Sequence, residues 1–219
     1  MLDPSTHDYT YSSPQSKKNQ KVLFKSIKSN VEVIDSEFDL IYPKEIYQTS
    51  EIHFTPIEIA KVAARYLADS RDTKILDVGS GAGKFCMIGS VCTEGRFFGV
   101  ELRKSLCTTA QRISKYYNLE NVAFINSNIT NIEFSEFDAF YFYNSFFENV
   151  YQAGRIDDKV ELRRELYDEY SLYVKEQLDK TAIGTKLVTY FSSSEEVPES
   201  FELQFSDFDG KLKMWKKIS

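Results

Sequence analysis

Short apolar runs alternate along this chain with longer segments whose apolar residues recur at helical spacing. Each short run has the length of a strand. The predicted strands, ending with a hairpin around Asp209-Gly210, are Ile75–Val78, Arg96–Glu101, Val122–Ile125, Phe137–Ser145, Lys186–Phe191, Phe201–Phe205 and Lys211–Lys216. Helices are predicted to begin near Thr55, Phe85, Arg103 and Lys159. This alternation predicts a doubly wound α/β sheet with helices on both faces.

The helix predicted near Thr55 carries a start signal. Thr55 is a favourable N-cap residue, Pro56 suits the first turn, and Glu58 stands three residues after the cap. We therefore expect the Thr55 side chain to cap this helix. The preceding segment, Val31–Tyr47, mixes apolar and acidic residues, and we expect irregular structure there.

The first fifty residues are predicted to form a partly flexible extension on the substrate side, and residues 51–219 a single domain. Residues 1 to about 20 are polar and are expected to lack fixed structure when alone. Lys18, Lys21, Lys25 and Lys28 share one face if their segment is helical. That face is either a contact surface for an acidic partner or an ordinary solvated surface.

The composition is that of an ordinary globular protein, with 42% hydrophobic and 27% charged residues among 219. A net charge of -6 argues against nonspecific nucleic-acid binding, which depends on phosphate neutralisation. No apolar run approaches about 18 residues and no signal-peptide pattern begins the chain, so we expect a cytoplasmic protein without membrane contact. The three cysteines show no paired or metal-ligand spacing, so we expect no metal.

One stretch suggests a ligand site: a predicted strand runs into three glycines at alternate positions, Gly79, Gly81 and Gly83, before a helix. Glycine lets the backbone approach a ligand closely, and a helix start presents unpaired N–H groups. A dinucleotide fingerprint is excluded because Lys84 stands where its third glycine belongs. A phosphate-binding P-loop is excluded because Val78 and Phe85 occupy positions that require glycine and a hydroxyl residue.

The stretch Asp77-Val78-Gly79-Ser80-Gly81-Ala82-Gly83 resembles the first motif of class I S-adenosylmethionine-dependent methyltransferases. The resemblance covers about residues 52–219 and implies a Rossmann-like, seven-stranded, mostly parallel sheet in the order 3-2-1-4-5-7-6. It implies S-adenosylmethionine as cofactor, with the loop of Gly79, Ser80, Gly81 and Gly83 around its amino-acid end and Asp77 engaging its amino group. A helix start borders the cofactor pocket in this family, which makes Thr55 and His53 candidate contacts.

The resemblance implies further cofactor contacts. Glu101, beside Leu102, ends the second predicted strand, where a carboxylate can accept hydrogen bonds from both ribose hydroxyls. Asn128 and Ile129 follow the third strand, where family members bind the adenine amino group and ring. Aspartate is commoner than asparagine at that position.

The fourth predicted strand ends in Asn144-Ser145-Phe146-Phe147. This stretch loosely resembles the N-P-P-Y/F motif of amino-methyltransferases, although both prolines are missing. It also resembles the N-N-F-x-F stretch of histone-lysine methyltransferases that lack a SET domain. The ribose-binding strand of that family ends in G-V-E, as Gly99-Val100-Glu101 does here. Asn144, Phe146 and Phe147 are therefore the candidate catalytic residues; the alternative is that the aromatic residues simply continue the core.

The expected reaction is methyl transfer to a nitrogen of a protein or another amine-bearing molecule, with nucleic acid less favoured as acceptor. Arg155, Asp157 and Asp158 lie in a predicted loop that either contacts substrate or is only solvated. Two alternatives stay open. One is an enzyme of the same fold that transfers an aminopropyl group, although no acidic cluster for a polyamine follows the fourth strand. The other is a non-catalytic module that binds the cofactor or a partner.

Overall fold

The computed structural model describes residues 22–193 and 196–219 and shows one seven-stranded sheet. The predicted polar segment at the start, with Lys18 and Lys21, lies outside the described residues. The strands are β1 (Lys74–Val78), β2 (Arg96–Glu101), β3 (Val122–Asn126), β4 (Ala139–Tyr143), β5 (Lys186–Tyr190), β6 (Phe201–Asp207) and β7 (Leu212–Lys217). Their order is β3-β2-β1-β4-β5-β7-β6, with β7 antiparallel to both neighbours, which confirms the predicted topology.

The helices are α1 (residues 22–28), α2 (Asp35–Phe38), α3 (Lys44–His53), α4 (Ile57–Leu67), α5 (Lys84–Cys92), α6 (Lys104–Tyr116) and α7 (Arg164–Asp179). Short 3-10 turns connect several elements, among them Asp39–Ile41 and Phe147–Asn149. Helix α2, the 3-10 turn Asp39–Ile41 and the first residues of α3 lie within Val31–Tyr47, where irregular structure was expected. The predicted start of the last helix at Lys159 was also wrong, since residues 159–163 belong to a loop.

Alternate residues of each central strand face opposite sides of the sheet and build two apolar clusters. On β1, Ile75 packs with the cluster that includes α4, α5 and α6, whereas Leu76 packs with the cluster that includes α7. Helices therefore cover both faces of the sheet, as predicted. Five residues from the first part of the described chain join the first cluster: Leu23, Phe24, Ile27, Phe38 and Tyr42. The division at residue 50 stays a prediction.

The expected N-cap at Thr55 was wrong. Helix α4 begins at Ile57, and the Thr55 hydroxyl bonds the phenol oxygen of Tyr141 at 2.9 Å instead. The Ile57 N–H donates to the Asp35 carboxylate at 2.9 Å. The Asp35 carboxylate, 22 residues away in sequence, thus satisfies an N–H group at the helix start that the Thr55 side chain was expected to cap.

Lys84 makes an unusual buried contact with the same part of the chain. It begins α5 directly after the glycine loop and is only 3% exposed. Its Nζ lies 2.7 Å from a carboxylate oxygen of both Asp35 and Asp39, and 5.3 Å from the centre of the Phe38 ring. A buried ammonium at a helix N-terminus is unfavourable without such partners. The ion pairs therefore hold residues 35–39 against the start of α5.

Replacing Lys84 by methionine should destabilise the protein, because the two carboxylates lose their counter-ion while Asp39 stays buried. We expect a loss of about 3 kcal/mol or more in the free energy of unfolding, measured by urea titration. The matched control is Arg96→Met, which removes an exposed pair to Asp72 and should cost less than about 1 kcal/mol. Equal losses in the two variants would contradict this interpretation of Lys84.

Candidate functional site

A cleft lies at the carboxyl ends of β1 to β4, beside the point between β1 and β4 where the strand order reverses. Many of the candidate residues line it: His53, Gly79, Gly81, Glu101, Leu102, Asn128, Ile129, Asn144 and Phe146. Parallel strands bring these residues together because their carboxyl ends share one edge of the sheet. The remaining candidates are Thr55, Asp77, Ser80, Gly83 and Phe147, and they are not among the lining residues.

The glycine loop has a backbone conformation that residues other than glycine rarely adopt. Gly79 and Gly81 have φ angles of +74° and +55°. A Cβ on Gly79 would lie 2.6 Å from the Ser145 Cβ, and one on Gly81 would lie 3.3 Å from the Phe54 ring. The loop therefore forms a narrow floor between the end of β4 and the residue that follows α3. Phe54 was not a candidate from the sequence.

Glu101 joins the glycine loop to the end of β2. Its carboxylate accepts the Gly81 N–H at 2.9 Å and the Arg103 N–H at 2.6 Å. Burial raises the pKa of Glu101, and these two N–H groups and the Arg103 charge oppose that rise. The carboxylate is therefore fixed in one orientation at the wall of the cleft.

Asn128, Ile129 and Leu102 also line the cleft. The Asn128 carboxamide oxygen accepts the Thr130 N–H at 3.1 Å, and its nitrogen donates to the Tyr170 hydroxyl at 3.0 Å. Ile129 is buried, whereas Leu102 is exposed over much of its surface. The amide is thus oriented by its neighbours, and its oxygen keeps one lone pair for a ligand.

Asp77 lies beneath the glycine loop. Its Oδ2 accepts a hydrogen bond from the Cys86 thiol at 3.4 Å, and burial raises the pKa of Asp77 to about 7. Ser80 is also buried, with a hydroxyl that has no partner among the described residues. Both side chains are buried next to the loop, and neither lines the cleft.

The chain leaves β4 in a tight turn that separates the three catalytic candidates. Asn144 and Phe146 line the cleft. Phe147 begins the 3-10 turn after β4, is 44% exposed, and packs near Tyr151 with ring centres 6.1 Å apart. The turn therefore places Phe147 outside the cleft, although the resemblance had made it a catalytic candidate.

A charged group at the mouth of the cleft was missed as a group. Arg103 Nε donates to Asp157 at 2.9 Å and its Nη2 donates to Glu148, which lies 3.7 Å from His53 Nδ1. The four side chains come from three separate segments of the chain. Their spacing in the sequence therefore does not predict that they meet.

The fields within this group shift two pKa values. Burial lowers the pKa of His53 and outweighs the opposing effect of Glu148. For Asp157, burial raises the pKa, but hydrogen bonds from Arg103 and the Lys159 N–H outweigh it and lower the pKa overall. His53 is therefore held towards its neutral form and Asp157 towards its ionised form.

Residues 69–204 match the sequence profile of the family described as "Methyltransferase domain", which covers more than half of the chain. The chain belongs to the class I S-adenosylmethionine-dependent methyltransferases. Its cofactor is S-adenosylmethionine. No curated protein gives a significant sequence match to this methyltransferase.

Solved structures show the same fold. An RNA methyltransferase from Salinibacter ruber, in complex with S-adenosyl-L-homocysteine, aligns with a TM-score of 0.52 at 18% identity over 75% of this chain and 92% of that chain. TrmN from Thermus thermophilus aligns with a TM-score of 0.55 at 13% identity, over 79% and 52%. A mutant of MtNAS in complex with S-adenosylmethionine aligns with a TM-score of 0.50 at 14% identity, over 94% and 76%. At these identities the similarity concerns the fold alone.

The cleft of the methyltransferase fits this cofactor. A glycine floor that a Cβ would obstruct and a fixed, buried carboxylate on the wall match a ligand with a polar amino-acid end and a ribose. Among residues 22–193 and 196–219, no group of three His, Cys, Asp or Glu side chains could hold a metal ion. No helix in that part of the methyltransferase is long and apolar enough to cross a bilayer.

Glu101→Ala should weaken binding of S-adenosylhomocysteine by about tenfold or more, because it removes a buried carboxylate and frees two N–H groups. Isothermal titration calorimetry measures the affinity. The control is Glu120→Ala. Glu120 is exposed in the turn between α6 and β3, so this variant should bind like the unmodified methyltransferase. An unchanged affinity in Glu101→Ala would remove Glu101 from the cofactor site.

Asp77→Asn should change how stability depends on pH. Because the pKa of Asp77 rises from 3.8 to about 7 on folding, the native state binds the extra proton between these values. Its contribution therefore stabilises the fold below about pH 4 and is lost as pH rises to 7, by up to about 4 kcal/mol. Relative to the unmodified methyltransferase, Asp77→Asn without cofactor should gain stability from pH 4 to pH 7 in urea titrations. Parallel profiles would show that Asp77 titrates normally.

Proposed function

We propose that this methyltransferase transfers the methyl group of S-adenosylmethionine to a nitrogen of a protein or of another amine-bearing substrate. The observation that carries the proposal is the geometry of Asn144. This residue lies at the carboxyl end of β4, on the wall of the cleft, in a left-handed backbone conformation with φ of +43°.

The backbone of Asn144 is held on both sides while its side chain stays available. Its N–H donates to the Ser192 hydroxyl at 3.3 Å, and its carbonyl accepts the Phe147 N–H at 3.1 Å. Within residues 22–193 and 196–219, no hydrogen bond involves its carboxamide. Among non-glycine residues, asparagine tolerates this conformation well, so the turn can place an amide at this point of the cleft. We infer that the turn keeps the Asn144 amide directed at the acceptor.

An amide oxygen can accept a hydrogen bond from the acceptor nitrogen and so orient its lone pair. S-adenosylmethionine, when bound, supplies an electrophilic methyl group on sulfur. The methyltransferase then has to align the nitrogen and exclude water, and the acceptor nitrogen has to be uncharged when it attacks. Asn144 supplies the alignment, and Phe146, buried beside it, supplies an apolar surface.

The same proposal assigns the cofactor contacts. We infer that Gly79, Gly81 and Glu101 contact the amino-acid end and the ribose, whereas Asn128 and Ile129 contact the adenine. Asp77 and Ser80 then act from beneath the loop, Asp77 through water. Thr55, Gly83 and Phe147 are assigned structural roles, because they do not line the cleft.

The charges near Asn144 favour an amine as acceptor. Arg103 and Glu148 both line the cleft and pair with each other, so their charges offset, whereas Glu161 also lines the cleft and the protein carries a net charge of -6. The Glu161 carboxylate and the net charge favour a cationic substrate over a polyanion. Because the Salinibacter ruber neighbour is described as an RNA methyltransferase, RNA is the competing acceptor class to include in the test.

The experiment uses S-adenosylmethionine with a radiolabelled methyl group and three acceptor pools from a lysate: proteins, RNA and metabolites below the dialysis limit. The proposal is supported if the label is found in protein or in small amines and chemical analysis shows that the labelled methyl group is bonded to nitrogen. Label in RNA alone, or on oxygen or carbon, contradicts it. Transfer of an aminopropyl group is detected in parallel by labelling that part of the cofactor.

Asn144→Gly should lower turnover by about a hundredfold while affinity for S-adenosylhomocysteine changes less than about threefold, because glycine keeps the backbone turn and removes the amide. Initial rates on the labelled acceptor measure turnover. Asn118→Gly is the matched control, since Asn118 has a similar φ of +54° but lies outside the cleft. Equal turnover in the two variants would exclude Asn144 from the reaction.

A further inference from the structure

The loop between the 3-10 turn after β4 and α7, residues 150–163, lies over the cleft and is named here the cleft loop. Ile156, Val160 and Leu162 of this loop line the cleft. Most of its other residues are exposed, and it contributes none of the fully buried core. Of its apolar residues, Ile156 packs against the first apolar cluster, and the rest of the loop depends on polar contacts for its position.

The two ends of the cleft loop are joined to each other and to the turn that precedes it. The Asn149 carboxamide oxygen accepts the Arg163 N–H at 3.2 Å, and the Gln152 side chain donates to the Leu162 carbonyl at 2.9 Å. These bonds close the loop on itself. They do not attach its middle to the rest of the protein.

The middle of the loop is attached through Arg103. Arg103 follows β2, its side chain is 9% exposed, and its guanidinium bonds Asp157 in the loop and Glu148 before it. Glu148 in turn accepts the Ile156 N–H at 3.3 Å, and Asp157 accepts the Lys159 N–H at 3.1 Å. One cation thus orders two carboxylates, and each carboxylate orders the loop backbone.

Arg103 is also attached to the cofactor side of the cleft. Its N–H donates to the Glu101 carboxylate at 2.6 Å, while its side chain points to the loop. The planar guanidinium suits this task because it presents two fixed donors to two acceptors. A lysine would supply the charge without the fork.

We propose that Arg103 is a positioning residue that holds the cleft loop closed over the acceptor end of the cleft. The assignment of that end rests on the proposed function, whereas the closure of the loop does not. Without the guanidinium, Glu148 and Asp157 lose their shared partner and repel each other, and the loop opens. Because the Arg103 N–H belongs to the backbone, side-chain substitution leaves its bond to Glu101 in place.

The first test measures hydrogen–deuterium exchange of the full chain with saturating S-adenosylhomocysteine. Arg103→Gln and, separately, Asp157→Asn should accelerate exchange of amides in residues 150–163 by about tenfold, because each loses a charge-assisted bond. Asp158→Asn is the matched control: it lies in the same loop, its side chain is 80% exposed, and its ion pair in the described part of the chain is with the exposed Arg155. Exchange in Asp158→Asn should match the unmodified protein.

The second test separates positioning from folding and from cofactor binding. In Asp157→Asn, affinity for S-adenosylhomocysteine should change less than about threefold, and KM for the acceptor should rise about tenfold with a smaller change in kcat. Arg103→Lys should fall between Arg103→Gln and the unmodified protein, since it restores the charge alone.

The outcomes are distinguishable from failure of the proposed function, because exchange and cofactor affinity require no acceptor. Unchanged exchange of the cleft loop in Asp157→Asn overturns the proposal, even if Arg103→Gln fails to fold. Equal acceleration in Asp158→Asn also overturns it. Faster exchange confined to the loop supports it, whichever class of acceptor the labelling experiment identifies.

Discussion

The carboxylate of Glu101 is the contact on which the candidate site depends. It accepts N–H groups from the glycine loop and from the start of the next segment, at Gly81 and Arg103. These bonds fix the floor and one wall of the cleft relative to each other before any ligand is present. The burial that raises the pKa of Glu101 also means that few solvent hydrogen bonds compete with these N–H donors. Preorganisation of this kind lowers the cost of ordering a site on binding.

A second buried charge links the first part of the described chain to the same loop. Lys84 directly follows the glycine motif, and its partners Asp35 and Asp39 lie far away in sequence. Asp35 also bonds the start of α4, which follows His53 and Phe54. Tyr42 packs edge-on against Phe54, with ring centres 5.2 Å apart, and Phe54 faces Gly81. His53 and Phe54 line the cleft, and the segment before them supports that wall through Asp35 and Tyr42.

Local sequence rules succeeded where one interaction dominates and failed where several compete. Strand β2 was predicted with its observed limits, because a buried parallel strand is an apolar run that ends abruptly. The cap at Thr55 was wrong because a remote carboxylate competed successfully for the Ile57 N–H. The start of α7 was wrong because residues 159–163 have helical composition but are held in the cleft loop by bonds such as that from Gln152 to Leu162. Propensity is a weak preference that such tertiary contacts exceed.

The sequence by itself determined the succession of strands and helices and the position of the glycine loop, because alternation and periodicity depend on neighbours in the chain. Its resemblance to class I methyltransferases implied the cofactor and the sheet order, and the structure then showed positive φ angles at Gly79 and Gly81. Only the tertiary structure decided which side chains meet at the cleft mouth. His53, Arg103, Glu148 and Asp157 come from three separate segments, and their contacts depend on how those segments pack. It also decided that Phe147 faces outward while Asn144 lies in the cleft, because the turn after β4 is set by bonds to Ser192 and Phe147 rather than by the strand's own pattern.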